Sequence, residues 1–210
     1  MRRGPLAWVG MAKERLRSPR ARLFVALDLP EELRDGIVAW GRSELDDPAL
    51  RVVPRESLHI TLAFLGYLPE KEIWRLTKIV EGLEAPVLSI ELGDPVVKPS
   101  PKRPRLFALP ANSPGAVTLQ AKLEEQLVSA RLYRPEKRPF WPHITVARVK
   151  PENRGSKPPR RVERTPGGLP KDLLQPTNLV RVTLYRSEIQ PQGARYTPLA
   201  QVELSEDGRQ

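Results

Sequence analysis

Cysteine is absent from this 210-residue chain, and histidine occurs only twice. Without cysteine the protein has no disulfide, no thiolate metal site and no thiol nucleophile. No apolar run approaches the roughly 20 residues that a membrane helix needs. The basic start of the chain lacks the apolar core of a signal peptide. We therefore expect a cytoplasmic protein that does not contact a membrane.

Acidic residues are outnumbered by basic ones. Lys and Arg total 35 against 25 Asp and Glu, which gives a formal net charge of +10. Such a charge attracts polyanions, above all nucleic acid. Basic charge also serves solubility, so composition alone leaves both explanations open.

Both histidines open nearly the same tetrapeptide. His59 begins the sequence His-Ile-Thr-Leu, and His143 begins His-Ile-Thr-Val. Histidine is the side chain best suited to moving protons near neutral pH, with an unperturbed pKa of about 6.5. A chain that places its only two histidines in matched motifs is expected to use them as two proton carriers.

The motifs belong to a longer internal repeat. Residues 22–27 (RLFVAL) recur as 105–109 (RLFAL), and each segment is followed by its histidine motif. Apolar residues at helical spacing predict helices over 30–43 and 114–130, between the repeated segments and the motifs. Each half therefore predicts a strand, a helix and a strand that carries the histidine. The duplication favours two lobes related by an approximate two-fold, with a cleft between them, over a chance likeness of two strands.

The remaining segments predict further elements. Helical spacing indicates a helix over 69–83, and the proline-rich turn at 98–104 indicates a hairpin within 87–109. The other predicted elements are a short helix near 169–175 and strands at 179–189 and 195–204.

Strand alternation places the histidine and the threonine of each motif on one face, because residues i and i+2 point the same way. His59 then lies beside Thr61, and His143 beside Thr145. The same alternation puts Phe64 on the buried face. One such pair could be structural, but the symmetric pair favours catalysis. A metal site is the less favoured interpretation, because two imidazoles are fewer than the usual three or four ligands.

Two imidazoles, two hydroxyls and a basic surface suggest phosphodiester hydrolysis. A neutral imidazole can accept a proton from water while an imidazolium gives one to the leaving oxygen. Threonine hydroxyls can donate hydrogen bonds to the phosphate oxygens, where negative charge grows in the transition state. This chemistry requires no metal and no cofactor.

Four blocks extend the motifs, namely RLFVALDLPEELRDGI, PRESLHITLAFLG, RPFWPHITVARV and VTLYRSEIQPQGARYTPLA. With them the chain resembles the 2H phosphoesterase superfamily over about residues 21–204, and specifically the bacterial and archaeal RNA 2',3'-cyclic phosphodiesterases, also called 2'-5' RNA ligases. The resemblance implies a bilobal α+β fold with an active-site cleft. It implies hydrolysis of RNA 2',3'-cyclic phosphate ends to 2'-phosphomonoesters, and reversible ATP-independent 2'-5' ligation.

The resemblance also implies roles for individual residues. His59 matches the family's proton donor and His143 its proton acceptor, with Thr61 and Thr145 as phosphate-contacting partners. Arg148 matches an arginine that approaches the phosphate. Arg148 lies five residues after His143, so a regular strand would point its side chain to the opposite face. It can reach the phosphate only if the strand ends or bulges near Ala147. Otherwise it is a surface arginine.

We expect a single domain over 21–204, preceded by a flexible basic extension (1–20) and followed by a tail (205–210). The internal duplication favours a monomer. The basic loop 150–164 could contact RNA phosphates, but its proline and glycine content favours a disordered insertion. Its cations are Lys150, Arg154, Lys157, Arg160, Arg161 and Arg164.

Two functional alternatives stay open on sequence alone. The chain could be a module that binds a nucleotide or an RNA end without turnover. It could also hydrolyse a small cyclic nucleotide or ADP-ribose 1″,2″-cyclic phosphate. The aromatic residues that could stack on a base are Tyr67, Phe140 and Trp141. Strand alternation instead predicts that Phe64 packs in the core.

Overall fold

The computed structural model describes residues 19–153, 158–190 and 193–205. The regular elements of these parts are three α-helices, three short 3-10 helices and ten strands. The α-helices are α1 (Glu31–Glu44), α2 (Ile73–Glu81) and α3 (Pro114–Ser129). The strands are β1 (Arg20–Asp28), β2 (Leu50–Val52), β3 (His59–Pro69), β4 (Leu88–Leu92), β5 (Val96–Ser100), β6 (Arg103–Asn112), β7 (His143–Val149), β8 (Thr177–Leu179), β9 (Arg181–Gln190) and β10 (Gly193–Glu203).

The repeated strand–helix–strand unit is present in both halves. It consists of β1, α1 and β3 in the first half, and of β6, α3 and β7 in the second. The helix bounds agree with the sequence prediction to within one residue. Pro114 occupies the first turn of α3, and the Ser113 hydroxyl caps it by accepting a hydrogen bond from the Ala116 amide at 3.1 Å. Such caps satisfy amides that a helix leaves unpaired at its start.

The strands form one ten-stranded sheet in the order β10-β9-β1-β3-β7-β6-β4-β8, with β2 beside β7 and β5 beside β6. All pairings between these strands are antiparallel, and the predicted α+β class is confirmed. The two halves of the sheet meet where β3 pairs with β7, at Ile60 opposite Ile144. This junction brings the two histidine motifs side by side.

The core lies on the face of the sheet opposite the histidines. Ile60 and Ile144 are fully buried, and α2 and α3 pack against the sheet. Burying a side chain of this size contributes about 2 kcal/mol. The neighbouring residues His59 and His143 point the other way and remain only partly buried. Burial of the isoleucines therefore directs both imidazoles to the opposite face.

Each motif strand bulges after its threonine. In β3 the register passes from Thr61 to Ala63, and in β7 it passes from Thr145 to Ala147, so Leu62 and Val146 have no register partner. An inserted residue reverses the alternation beyond it. The expectation that Phe64 packs in the core is therefore wrong, because the bulge turns its side chain outward and leaves it 41% exposed.

The described part of loop 150–164 is tied to the rest of the protein. The Arg160 amide donates to the Lys150 carbonyl at 2.8 Å, and the Glu163 amide donates to Asp47 at 2.8 Å. Val162 packs against the core, and Arg164 forms an ion pair with Glu44 at 2.8 Å. The expectation of a disordered insertion is therefore wrong for residues 158–164.

Other expectations fall on residues outside the described ranges. These are the extension up to residue 18, the tail from residue 206, and the loop cations Arg154 and Lys157. The division into one domain with two flanking segments stays a prediction. None of the described helices has the length and apolar character to cross a membrane.

Candidate active site

The two motifs line one cleft of about 120 Å³ above the β3–β7 junction. All five residues singled out from the sequence lie in it, and six further residues complete the lining. The predicted five are His59, Thr61, His143, Thr145 and Arg148, and the others are Arg22, Phe24, Val53, Ser57, Phe64 and Tyr196. The geometry thus gathers two imidazoles, two hydroxyls and a guanidinium in one place.

Both imidazoles are oriented by the same backbone contact. His59 Nδ1 lies 2.8 Å from the Ser57 carbonyl, and His143 Nδ1 lies 2.7 Å from the Trp141 carbonyl. A carbonyl only accepts hydrogen bonds, so each Nδ1 carries the proton and donates it. In the neutral ring Nε2 is then the basic nitrogen. The two contacts therefore fix the same tautomer in both rings.

The Thr61 hydroxyl completes the first imidazole's hydrogen bonds. Its Oγ1 lies 3.0 Å from His59 Nε2, and it donates to that nitrogen when the ring is neutral. Protonation of His59 reverses this bond, because Nε2–H then donates to the threonine oxygen. The threonine proton is thereby released for another acceptor. Thr61 can therefore donate a hydrogen bond to a molecule in the cleft only when His59 is protonated.

Aromatic rings enclose both histidines. The Phe24 ring lies 4.9 Å from that of His59, and Tyr196 meets His59 edge-on at 5.4 Å. Trp141 stacks on His143 with ring centroids 4.3 Å apart and planes inclined by 13°. These contacts exclude water and restrict rotation of the imidazoles, which holds Nε2 in position.

Burial lowers the pKa of both histidines, since a charged ring loses solvation. It lowers the pKa of His59 to about 4, against the opposing effects of the Ser57 carbonyl and the charge of Asp28. It also lowers the pKa of His143, with Arg148 and Lys98 adding repulsion. Both rings are therefore neutral at pH 7 in the free protein.

Asp28 gives the first histidine a neighbour that the second lacks. It lies opposite His59 in the register of β1 and β3, and it is only 8% exposed. Thr183 and Tyr185 each donate a hydroxyl hydrogen bond to its carboxylate at 2.7 Å. Burial, followed by the charge of Asp28, raises the pKa of Tyr185, so this hydroxyl stays protonated and donates. The corresponding position opposite His143 is Pro110.

Lys98 gives the second histidine a neighbour of the opposite charge. Its Nζ lies 4.6 Å from the centre of the Trp141 ring that stacks on His143. An ammonium over an aromatic face is held by cation–π attraction. The two histidines thus share one local geometry but differ in a charged neighbour, a carboxylate near His59 and an ammonium near His143.

Arg148 reaches the cleft because of the bulge in β7. The bulge reverses strand parity after Thr145, so the residue five positions after His143 shares its face. Phe64 lies five positions after His59 and reaches the cleft in the same way. The Arg22 guanidinium lies over the Phe64 ring at 4.7 Å from its centre. The equivalent bulges thus deliver a cation on one side and an aromatic ring on the other.

Comparison with known proteins agrees with this geometry. The family model of the 2'-5' RNA ligase superfamily matches residues 28–167, which include both motifs. This chain belongs to that superfamily.

Two of its relatives carry the same activity name. The RNA 2',3'-cyclic phosphodiesterase of Thermus thermophilus is 34% identical, over 90% of this chain and 93% of its own length. The enzyme of the same name from Escherichia coli is 29% identical, over 88% and 97%. The crystal structure of E. coli LigT in apo form superposes with a TM-score of 0.70 at 29% identity, covering 90% of this chain and 99% of that one.

Superfamily membership confirms the resemblance inferred from the sequence, but sequence reasoning missed two charged residues that act on the histidines from outside the cleft lining. Asp28 could have been found, because it breaks the repeat at the position of Pro110. Lys98 gave no sequence signal, since β5 has no counterpart in the repeated unit. Among the aromatic residues considered for base stacking, Tyr67 is 55% exposed and does not line the cleft. Trp141 stacks on the ring of His143.

The electrostatic description predicts the NMR behaviour of both imidazoles. At pH 7 we expect Nδ1 to be protonated and Nε2 unprotonated in each, and both pKa values to lie below 6.5, with that of His59 near 4. Lys98→Met should raise the pKa of His143, because it removes a repelling charge. Asp28→Asn should lower that of His59. The measurement is a pH titration followed by histidine ¹⁵N shifts.

Lys71→Met is the matched control, since Lys71 is exposed and does not line the cleft. It should leave both titrations unchanged. A His59 pKa at or above 6.5 in the wild-type protein contradicts the description.

Proposed function

We propose that this protein hydrolyses RNA 2',3'-cyclic phosphate ends to 2'-phosphomonoesters, with one histidine as general base and the other as general acid. The observation that carries the proposal is the convergence of two imidazoles with matching tautomers in one cleft beside Arg148. The activity named for the superfamily relatives supports it. A protein that only binds its ligand has no need of two oriented proton carriers.

In the proposed reaction His143 Nε2 accepts a proton from water as the water oxygen attacks phosphorus. The new O–P bond forms as the bond from phosphorus to O3' breaks. His59, as imidazolium, gives its Nε2 proton to O3', which leaves as the 3'-hydroxyl. The 2'-phosphate remains on the RNA, and proton exchange with solvent restores both rings. General acid and base each contribute about 10²- to 10⁴-fold in such reactions.

The charges around the histidines support this assignment of roles. The acid must be protonated when substrate is bound, although burial disfavours it. A phosphodiester anion in the cleft raises the pKa of both rings, because opposite charges stabilise each other. Asp28 then favours the proton on His59, while Lys98 disfavours it on His143. These two charges favour His59 as donor and His143 as acceptor, and they act against the burial that lowers the pKa of His59 to about 4 in the free protein.

The hydroxyls and Arg148 act on the non-bridging phosphate oxygens in this proposal. When His59 is protonated, the Thr61 hydroxyl can donate to phosphate, and Thr145 holds the equivalent position beside His143. The Arg148 guanidinium stabilises the negative charge that grows on these oxygens in the transition state. Its repulsion of both imidazolium forms also adds to the burial that lowers the pKa of both rings in the free protein.

The same site accommodates ligation. If the 5'-hydroxyl of a second RNA takes the place of water, the identical proton transfers produce a 2'-5' phosphodiester and a free 3'-hydroxyl. No phosphoanhydride bond is consumed, so the reaction needs no ATP and is reversible. Among the described residues, no three His, Asp or Glu side chains gather as ligands for one metal ion. We propose that neither direction requires a metal.

The first prediction of this proposal concerns the two histidines. His59→Ala and His143→Ala should each lower kcat by about 10³-fold on a short RNA with a 2',3'-cyclic phosphate end, within the range of single acid or base deletions. Wild-type turnover should persist in EDTA without ATP and should release only 2'-phosphate. The measurement is mass and end-position analysis of the product.

Lys71→Ala serves as the control for substitution itself. Near-wild-type turnover by either histidine variant contradicts the proposal. Failure of the wild-type protein to open the RNA ring, with turnover of a mononucleotide cyclic phosphate, would instead indicate a small cyclic substrate. Binding of RNA without turnover of either substrate would indicate a binding module.

The second prediction separates the acid from the base. A substrate with sulfur in place of O3' has a leaving group whose pKa is near that of a thiol, about 8.5, so it departs without a proton. We expect His59→Ala to recover most of its lost activity on this substrate, and His143→Ala to recover none. The measurement is the ratio of kcat on the sulfur and oxygen substrates. The opposite pattern would exchange the two roles.

The third prediction concerns Arg148. Arg148→Ala should lower kcat/KM by roughly 10²- to 10³-fold, comparable to removing one transition-state hydrogen-bond donor. Arg148→Lys should recover part of this loss, because it keeps the charge but not the planar pair of donors. The matched control is Arg51→Ala, since Arg51 is the cross-strand partner of Arg148 but does not line the cleft. Equal effects of Arg148→Ala and Arg51→Ala would contradict a role in the site.

A further inference from the structure

A second and larger cavity lies apart from the cleft. It has a volume of about 860 Å³ and is bounded by the β5–β6 hairpin and the described part of loop 150–164. None of its lining residues lines the cleft. The floor is apolar and includes Val97, Phe107 and Val162. We call it the hairpin groove.

The rim of the hairpin groove is strongly basic. Its cations come from two separate segments, Lys102, Arg103 and Arg105 from the hairpin and Arg160 and Arg161 from the loop. All five are exposed. Glu152 is the one carboxylate on the described lining, and none of the five cations forms an ion pair with any residue that the structure describes.

Other arginines of the protein, in contrast, form ion pairs. Arg55, Arg164 and Arg181 each contact a carboxylate at 2.8 Å or less. Five unneutralised cations around one concavity repel one another and concentrate anions from solution. Their neutralisation by a phosphate chain would release counterions and yield salt-dependent affinity. An apolar floor with a cationic rim fits a polymer of phosphates and apolar ring faces.

The hairpin is the wall between the groove and the cleft. Val97 and Lys98 are neighbours on β5 and therefore point to opposite faces. Val97 lines the groove, whereas Lys98 contacts Trp141 beside His143. Lys98 is opposite Leu106, which is opposite Arg148, so one row of residues runs from the cleft to β5. Two strand spacings, about 10 Å, separate Arg148 from β5.

We infer that the hairpin groove binds the phosphodiester backbone of the RNA strand whose cyclic phosphate end lies in the cleft. The strand leaves the histidines along the row from Arg148 to Lys98, crosses the edge of β5 and continues between the hairpin and the loop. The inference rests on the proposed function for the position of the reacting end. It makes the groove a determinant of substrate length rather than of the chemical step.

The test compares two substrates and two groove variants. The substrates are a nucleoside 2',3'-cyclic phosphate and a ten-nucleotide RNA ending in the same group. The variants are Arg105→Ala, on a strand, and the double substitution Arg160→Ala with Arg161→Ala, on the loop. The control is Lys71→Ala combined with Lys171→Ala, which removes two exposed charges that line neither cavity.

We expect each groove variant to lower kcat/KM on the ten-nucleotide RNA by about tenfold and to leave turnover of the mononucleotide unchanged. The slope of log kcat/KM against log salt should fall by roughly 0.7 for each phosphate that the variant no longer neutralises, as for single strands. Unchanged mononucleotide turnover also shows that the variants fold. Equal decreases on both substrates, or decreases no larger than in the control, would overturn the inference.

A binding measurement separates this inference from the proposed function. The probe is the same RNA with a 2'-phosphate end, labelled for fluorescence anisotropy. If the wild-type protein turns over neither substrate but groove variants weaken binding of the probe, the proposed function fails and the groove stands. If turnover occurs but the variants bind the probe as the wild type does, the groove fails and the function stands.

Discussion

The pairing of β3 with β7 is the contact on which the site depends. Its register places Ile60 opposite Ile144 in the core, and each isoleucine stands between the histidine and the threonine of its own motif. Moving either strand by one residue would turn its histidine into the core and expose its isoleucine. The same apolar contact that joins the two halves of the sheet therefore sets the distance and the direction of the two imidazoles.

The sequence predicts most of this architecture because both halves of the repeat show clear hydrophobic periodicity. Alternation in the motifs and helical spacing at 30–43 and 114–130 lead to the observed units. The site is predicted less completely. Phe64 was assigned to packing because alternation cannot reveal a bulge, which depends on how β3 pairs with β1. Arg148 posed the same difficulty in β7, where the bulge lies between Thr145 and Ala147.

Residues that act through space leave still weaker sequence signals. Lys98 lies on a different hairpin from His143 and approaches it only through Trp141. Asp28 is more accessible to sequence reasoning, because it replaces the proline expected from the repeat. Its partners Thr183 and Tyr185 are more than 150 residues away in the chain and become visible only with the pairing of β1 and β9.

Duplication explains why the site is geometrically symmetric, and single residues distinguish the two histidines in the asymmetric reaction that we propose. Two equal histidines would share one proton equally, so acid and base would exchange at random and half of the bound complexes would hold the proton on the wrong ring. A difference of one pKa unit corresponds to about 1.4 kcal/mol and a tenfold preference. One carboxylate near His59 and one ammonium near His143 both shift the proton toward His59, the proposed donor, against the burial that lowers its pKa. In the proposed reaction, these two departures from the symmetry of the fold favour one direction of proton transfer.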